Sequence, residues 1–148
     1  MLEVFISVAP GGNPAYERKL RQLARDQGVF ELIRFEPPVA PDEIVSAATK
    51  ADIGLFVPPG ANAQSRFVLP NKVFEYMMAG LAVCVSGMPD MTRIVLSSNA
   101  GVVCKGEQPS TIAACINGLD QTKIDAFKRS SIEAAKELCA ETEDKMFG

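Results

Sequence analysis

Histidine is absent from this sequence, and so is tryptophan. Without an imidazole there is no Ser-His or Cys-His nucleophile pair, no histidine proton shuttle and none of the histidine-bearing catalytic zinc sites. Positive charge is scarce as well. The 15 Lys and Arg stand against 18 Asp and Glu, a formal net charge of −3, which removes the electrostatic footprint of non-specific nucleic-acid binding. No nucleic-acid partner is therefore expected. No apolar run reaches the ~18 residues that a membrane span requires. The N-terminus carries Glu3 and no basic stretch ahead of an apolar one, so it does not read as a signal peptide. A cytoplasmic location is the expectation, with membrane association of a larger parent protein left open. Cysteine is sparse: Cys84, Cys104, Cys115 and Cys139 show no C-x-x-C spacing, and three of them lie in apolar stretches. They read as small buried hydrophobes, with no disulfide framework and no zinc site. No cofactor is expected.

What is present has the composition of one ordinary globular domain. Across 148 residues, 47% are apolar and 22% charged, enough to bury a core without staples. Short β-branched or aromatic runs alternate with segments of helical period, the pattern of βα units around a parallel sheet. Five strands are predicted, at 2–8, 30–35, 53–57, 81–86 and 101–104. The third is continuously apolar, as in a strand covered on both faces. The sheet order expected is 2-1-3-4-5. Asn13 and Pro14 open a helix that stops at Gly28, with Leu20, Leu23 and Ala24 as its apolar stripe and the surrounding charges as a solvated face. Further helices are predicted at 41–50, 70–80 and 90–97. From about Pro109 to Met146 the chain reads as helical, broken near Gly118-Leu119-Asp120.

In an open parallel sheet, ligands sit beyond the carboxyl ends of the strands, which directs attention to the loops after the first, third and fourth strands. The first, Pro10-Gly11-Gly12-Asn13-Pro14, could let backbone amides approach a phosphate, but it is no G-x-G-x-x-G and lacks the lysine of a P-loop; it reads best as a plain βα turn. In the third, Gly87 to Thr92, Asp90 could meet a ligand but is better explained as a helix cap. The second is the stretch from Leu69 to Val83. At about 100° per residue, Pro70, Val73, Phe74, Met77 and Met78 share one apolar arc, with Asn71 and Glu75 just beyond its edge and Lys72 pointing elsewhere. An acid there, one turn into a helix that opens at a strand's carboxyl end, is placed to accept hydrogen bonds from ligand hydroxyls, while the free amides around Asn71 and Lys72 would face an anion. The same glutamate would also serve as a plain solvated edge of a packed helix.

The run Pro70-Asn71-Lys72-Val73-Phe74-Glu75-Tyr76, followed by small or apolar residues, Gly80 and an Ala82-Val83 strand, resembles the nucleotide-sugar-binding half of retaining GT-B glycosyltransferases, the glycosyl transferases group 1 family. Supporting matches run along residues 2 to 146. They comprise Val4 to Val8 followed by Tyr16, Leu20 and Leu23; Ile33 to Phe35; Pro41-Asp42-Glu43-Ile44 leading to Ala51-Asp52-Ile53; and Gly101-Val102-Val103. The resemblance implies an α/β, Rossmann-like parallel sheet of about five strands flanked by helices, half of a GT-B fold. It implies a single donor-nucleotide-binding domain over 1–148 that belongs to an enzyme moving a hexosyl unit from a UDP- or GDP-sugar to an acceptor. By the same resemblance Glu75 would bind the ribose hydroxyls, and Ser65, Pro70, Asn71 and Lys72 would lie near the phosphates; no catalytic residue is assigned.

Two departures stand out. The family's earlier motif glutamate is Phe67 here, and neither the first βα unit with its diphosphate-neutralising basic pair nor the N-terminal acceptor domain has a counterpart. A fragment that is inactive alone is the expectation. The alternative class is a non-catalytic flavodoxin-like or receiver-like interaction module. A receiver needs an acidic cluster after its first strand and a phospho-acceptor Asp after its third, where this sequence has Val8-Ala9-Pro10 and Val57-Pro58-Pro59. A flavodoxin needs a hydroxyl-rich phosphate cradle, which the first loop lacks.

Overall fold

The computed structural model describes residues 3–7, 12–58 and 71–147, with the side chains of 7 and 140–147 left aside. The chain divides into two compact units, residues 1–43 and 44–148.

In the first unit, strand β1 (Val4–Ser7) pairs in parallel with β2 (Ile33–Glu36), connected through helix α1 (Pro14–Asp26). The start of α1 is the one expected: Asn13 Oδ1 accepts from the Ala15 amide at 2.9 Å and Pro14 occupies the first turn, where its missing N–H costs nothing. Gly28, at φ 68°, takes the left-handed conformation just past the end. Two expectations are corrected. Residues Phe30–Leu32 form a 3-10 turn, so β2 begins at Ile33; the Leu32 amide bonds back to the Val29 carbonyl at 2.9 Å, and the chain extends only after that turn is closed. The charged face of α1 is not simply solvated either. The guanidinium of Arg21 lies 4.1 Å from the Phe35 ring and that of Arg25 lies 4.4 Å from the Phe30 ring, so cation–π contacts tie α1 to the β2 segment, while Leu23 of the expected stripe is exposed.

In the second unit, β3 (Ile53–Phe56), β4 (Ala82–Ser86) and β5 (Gly101–Cys104) form a parallel sheet in that order. Within the second unit the order 3-4-5 is the one expected, and within the first β1 lies beside β2 as the expected order also has it. The strand covered on both faces is β4, buried along its whole length, not β3, whose Leu55 is 42% exposed. The reason is position: β4 has a strand on either side and helices above and below.

Helices α2 (Ile44–Ala48), α3 (Asn71–Met78), α4 (Pro89–Ser97), α5 (Pro109–Asn117) and α6 (Gln121–Phe147) complete the unit. The predicted helix at 41–50 is in fact a 3-10 turn, Pro41–Glu43, followed by the five residues of α2. The break before α6 falls where expected, with Asp120 Oδ1 accepting from the Lys123 amide at 2.8 Å as a cap. Alternation along β4 sorts the two faces. Val83 and Val85 join Val73 and Met77 of α3, Met91 and Val95 of α4 and Ala134 of α6 in the core cluster. Cys84 turns to the other face and meets Cys115 of α5. Helix α6 is held to the sheet's amino edge by Ser131, which is fully buried and donates to the Leu81 carbonyl at 2.7 Å. Among the described residues, no helix is long and apolar enough to cross a membrane.

Candidate functional site

A helix that returns from one parallel strand to the next must start at the strands' carboxyl ends, as α3 and α4 do in the second unit, and α5 follows the carboxyl end of β5. Asn71 and Lys72 therefore stand at that edge, on the first turn of α3. Val73 and Met77 are the fully buried side of this helix. Tyr76 lies flat on β3, because Gly54 has no side chain: a Cβ at Gly54 would run into the Tyr76 ring. Burial pushes the Tyr76 phenol above its ordinary range, and the neighbouring Glu75 charge adds to the rise. Met78, assigned from the sequence to the apolar arc, is 46% exposed. The rotation that brings Tyr76 onto Gly54 turns Met78 outward.

Glu75 occupies the border between these sides. Its side chain is 19% exposed, and its Oε2 receives the Lys72 ammonium at 3.0 Å. Lys72 thus does not point elsewhere, as helical angle alone predicts; a long side chain at i and an acid at i+3 are within reach across one turn. Of the five residues singled out from the sequence, Asn71, Lys72 and Glu75 come together on this one turn and a half. Ser65 and Pro70, like Phe67, lie outside the described residues. So do Pro10 and Gly11 of the first loop, whose Asn13 serves as a helix cap.

Asp90 does not cap α4. The cap position is Met88, which makes no side-chain bond, and Asp90 sits in the first turn with Arg93 at 3.5 Å. Beside it the carboxyl ends of β4 and β5 enclose an open depression of about 500 Å³ lined by Ser86, Gly87, Met88, Pro89 and Cys104 to Glu107. The loop after β5, with Lys105 and Glu107, is a part of this edge that sequence reasoning passed over, although the rule that ligands gather at carboxyl ends would have reached it. The cysteines, read from the sequence as separate small hydrophobes, converge. Cys84, Cys104 and Cys115 bring their sulfurs within 4.8 Å of one another, a convergence that no sequence spacing announces. Burial pushes the thiols of Cys84 and Cys104 up, away from the thiolate form a nucleophile needs.

Sequence and fold comparisons set the chain beside glycosyltransferases. The chain is 29% identical over 119 residues to a D-inositol 3-phosphate glycosyltransferase of Geodermatophilus obscurus, a match covering 80% of this chain and 25% of that protein. In fold it is similar to WaaG, a glycosyltransferase involved in lipopolysaccharide biosynthesis (TM-score 0.68, 17% identity, 90% of this chain and 34% of that one). It is similar also to sucrose-phosphate synthase from Thermosynechococcus elongatus (TM-score 0.68, 13% identity, 97% and 37%). No protein-family profile matches. The chain spans between a quarter and just over a third of the length of these relatives. Its fold is that of a GT-B glycosyltransferase C-terminal domain, as the resemblance from Leu69 to Val83 implies.

Proposed function

We propose that this chain, with its GT-B glycosyltransferase fold, is the donor-binding domain of a transferase that takes a hexosyl unit from a UDP- or GDP-sugar, with the acceptor held by a separate N-terminal domain. The observation that carries the reading is the half-buried Glu75 at the border of α3, one turn in from a helix start at the carboxyl edge of the sheet and already engaged with a cation, Lys72. Two vicinal ribose hydroxyls would donate to its carboxylate, each to one oxygen, in charge-assisted bonds. The Lys72 ammonium and the amino-terminal turn of α3 form a cationic neighbourhood for the diphosphate, with Asn71 offering an amide side chain beside it. Ser65 and Pro70 enter this site by the family resemblance. The relatives' names support a sugar-transferring parent protein, and retention of configuration follows from the resemblance alone.

The test is calorimetric titration of UDP and GDP into parent and Glu75→Ala proteins. The Lys72–Glu75 pair lies near the surface and is worth little to folding, on the order of 0–1 kcal/mol. Glu75→Ala is therefore expected to keep the parent's thermal transition while losing about 1–3 kcal/mol of nucleotide binding. Equal nucleotide affinity in the mutant would return α3 to the role of a helix that merely packs well.

A further inference from the structure

We propose that Cys84, Cys104 and Cys115 form a binding site for one thiophilic d10 cation of the Zn(II), Cd(II) and Cu(I) class. The three sulfurs come from three different elements, β4, β5 and α5. Cys84 Sγ is 3.3 Å from Cys104 Sγ and 3.8 Å from Cys115 Sγ, and all three lie within 4.8 Å of one another. A metal–sulfur bond of about 2.3 Å places ligand sulfurs about 3.8 Å apart around a tetrahedral centre and about 4.0 Å apart around a trigonal one. The observed spacing brackets both, so side-chain shifts of less than about 1 Å would close the site. Soft thiolate donors with no imidazole select this class of ion over magnesium or calcium.

The surroundings fit a metal better than they fit simple packing. In the strand register Ser86 pairs with Cys104, on the same sheet face as Cys84. Ser86 is 3% exposed, and its Oγ has no hydrogen-bond partner among the described residues. A buried hydroxyl without a partner is costly, and from the same sheet face as Cys84 and Cys104 it would be the fourth donor to a tetrahedral ion. The depression lined by Ser86 and Cys104 adjoins the cluster, and Cys115 is the partly exposed member of it. Binding is a ligand exchange: the cation leaves its water or buffer ligands, and each thiol that bonds to it releases its proton to solvent.

The experiment uses the full chain, reduced and kept free of oxygen, titrated with Cd(II), then Zn(II), and Cu(I) supplied from a weak chelator. A thiolate-to-metal charge-transfer band saturating at one cation per chain is expected, with a raised thermal transition. Cys115→Ser should lose most of the band and at least tenfold in affinity, whereas Cys139→Ser, which changes an exposed cysteine of α6 outside the cluster, should behave as the parent does. A measurement free of mutation accompanies these. With Cd(II) bound, mass spectrometry after alkylation should find Cys115 protected and Cys139 modified. Absence of the band in the reduced chain, a band that follows Cys139, or alkylation indifferent to the cation would each overturn the site.

Discussion

At the scale of single residues, the candidate donor site depends on one missing side chain. Gly54 permits the Tyr76 ring to lie on β3, and the resulting rotation of α3 brings Glu75 to the border and turns Met78 out. A methyl group at Gly54 meets the root of the Tyr76 side chain, Cβ and ring, which has little room to move away. Gly54→Ala is therefore expected to destabilise the protein by about 1–3 kcal/mol, the usual cost of overpacking, and to weaken nucleotide binding together with stability. Paired urea denaturation and nucleotide titration check this, and an unchanged denaturation midpoint would show that α3 has another seat. Glu75→Ala should differ from it in kind, because its loss is confined to binding.

At the scale of elements, one of the polar contacts that fasten the long helix α6 is buried. Ser131 Oγ donates to the Leu81 carbonyl at 2.7 Å and approaches the Ala100 carbonyl at 3.4 Å, so a single hydroxyl joins α6 to the entries of both β4 and β5. Ser131→Ala leaves the Leu81 acceptor without that donor and is expected to cost about 1–3 kcal/mol, with faster amide exchange at the start of β4. The Lys128–Asp52 pair at 2.7 Å ties the same helix to the approach of β3. Asp52 there is largely exposed, and Lys128→Ala should move the thermal transition by no more than the ~1 kcal/mol typical of surface pairs. Thermal melts of the two variants side by side would reverse this ranking if Lys128→Ala proved the more damaging.

At the scale of the whole molecule, sugar transfer requires an acceptor held in attack geometry against the donor, and the site residues assigned here address the donor alone. The chain spans 25% to 37% of the length of its relatives. On the proposed reading, the 148 residues alone bind UDP or GDP weakly. Each charge-assisted phosphate contact supplied from outside these residues would be worth about 1.5–3 kcal/mol, or roughly 10- to 100-fold in affinity. They are expected to transfer no sugar from radiolabelled UDP- or GDP-glucose to added acceptors. Transfer at the rate of a complete transferase would contradict the division of labour between two domains.

Local chemistry wrote much of this protein directly into its sequence. Asn13-Pro14 and Gly28 bound α1, Gly118-Leu119-Asp120 separates α5 from α6, and the alternation of apolar runs with helical stretches yields five parallel strands, because caps, turns and periodicity act within a few residues. The motif from Asn71 to Tyr76 carried the GT-B resemblance and brought Asn71, Lys72 and Glu75 forward as a group. What the sequence could not decide were matters of which segment lies against which. That β4 is buried along its whole length depends on neighbours distant along the chain. The Lys72–Glu75 pair depends on side-chain reach, which a helical wheel ignores. The meeting of Cys84, Cys104 and Cys115 depends on strand register and on the docking of α5. Register and docking are set by the packing of whole faces, so only the tertiary structure could bring those sulfurs together.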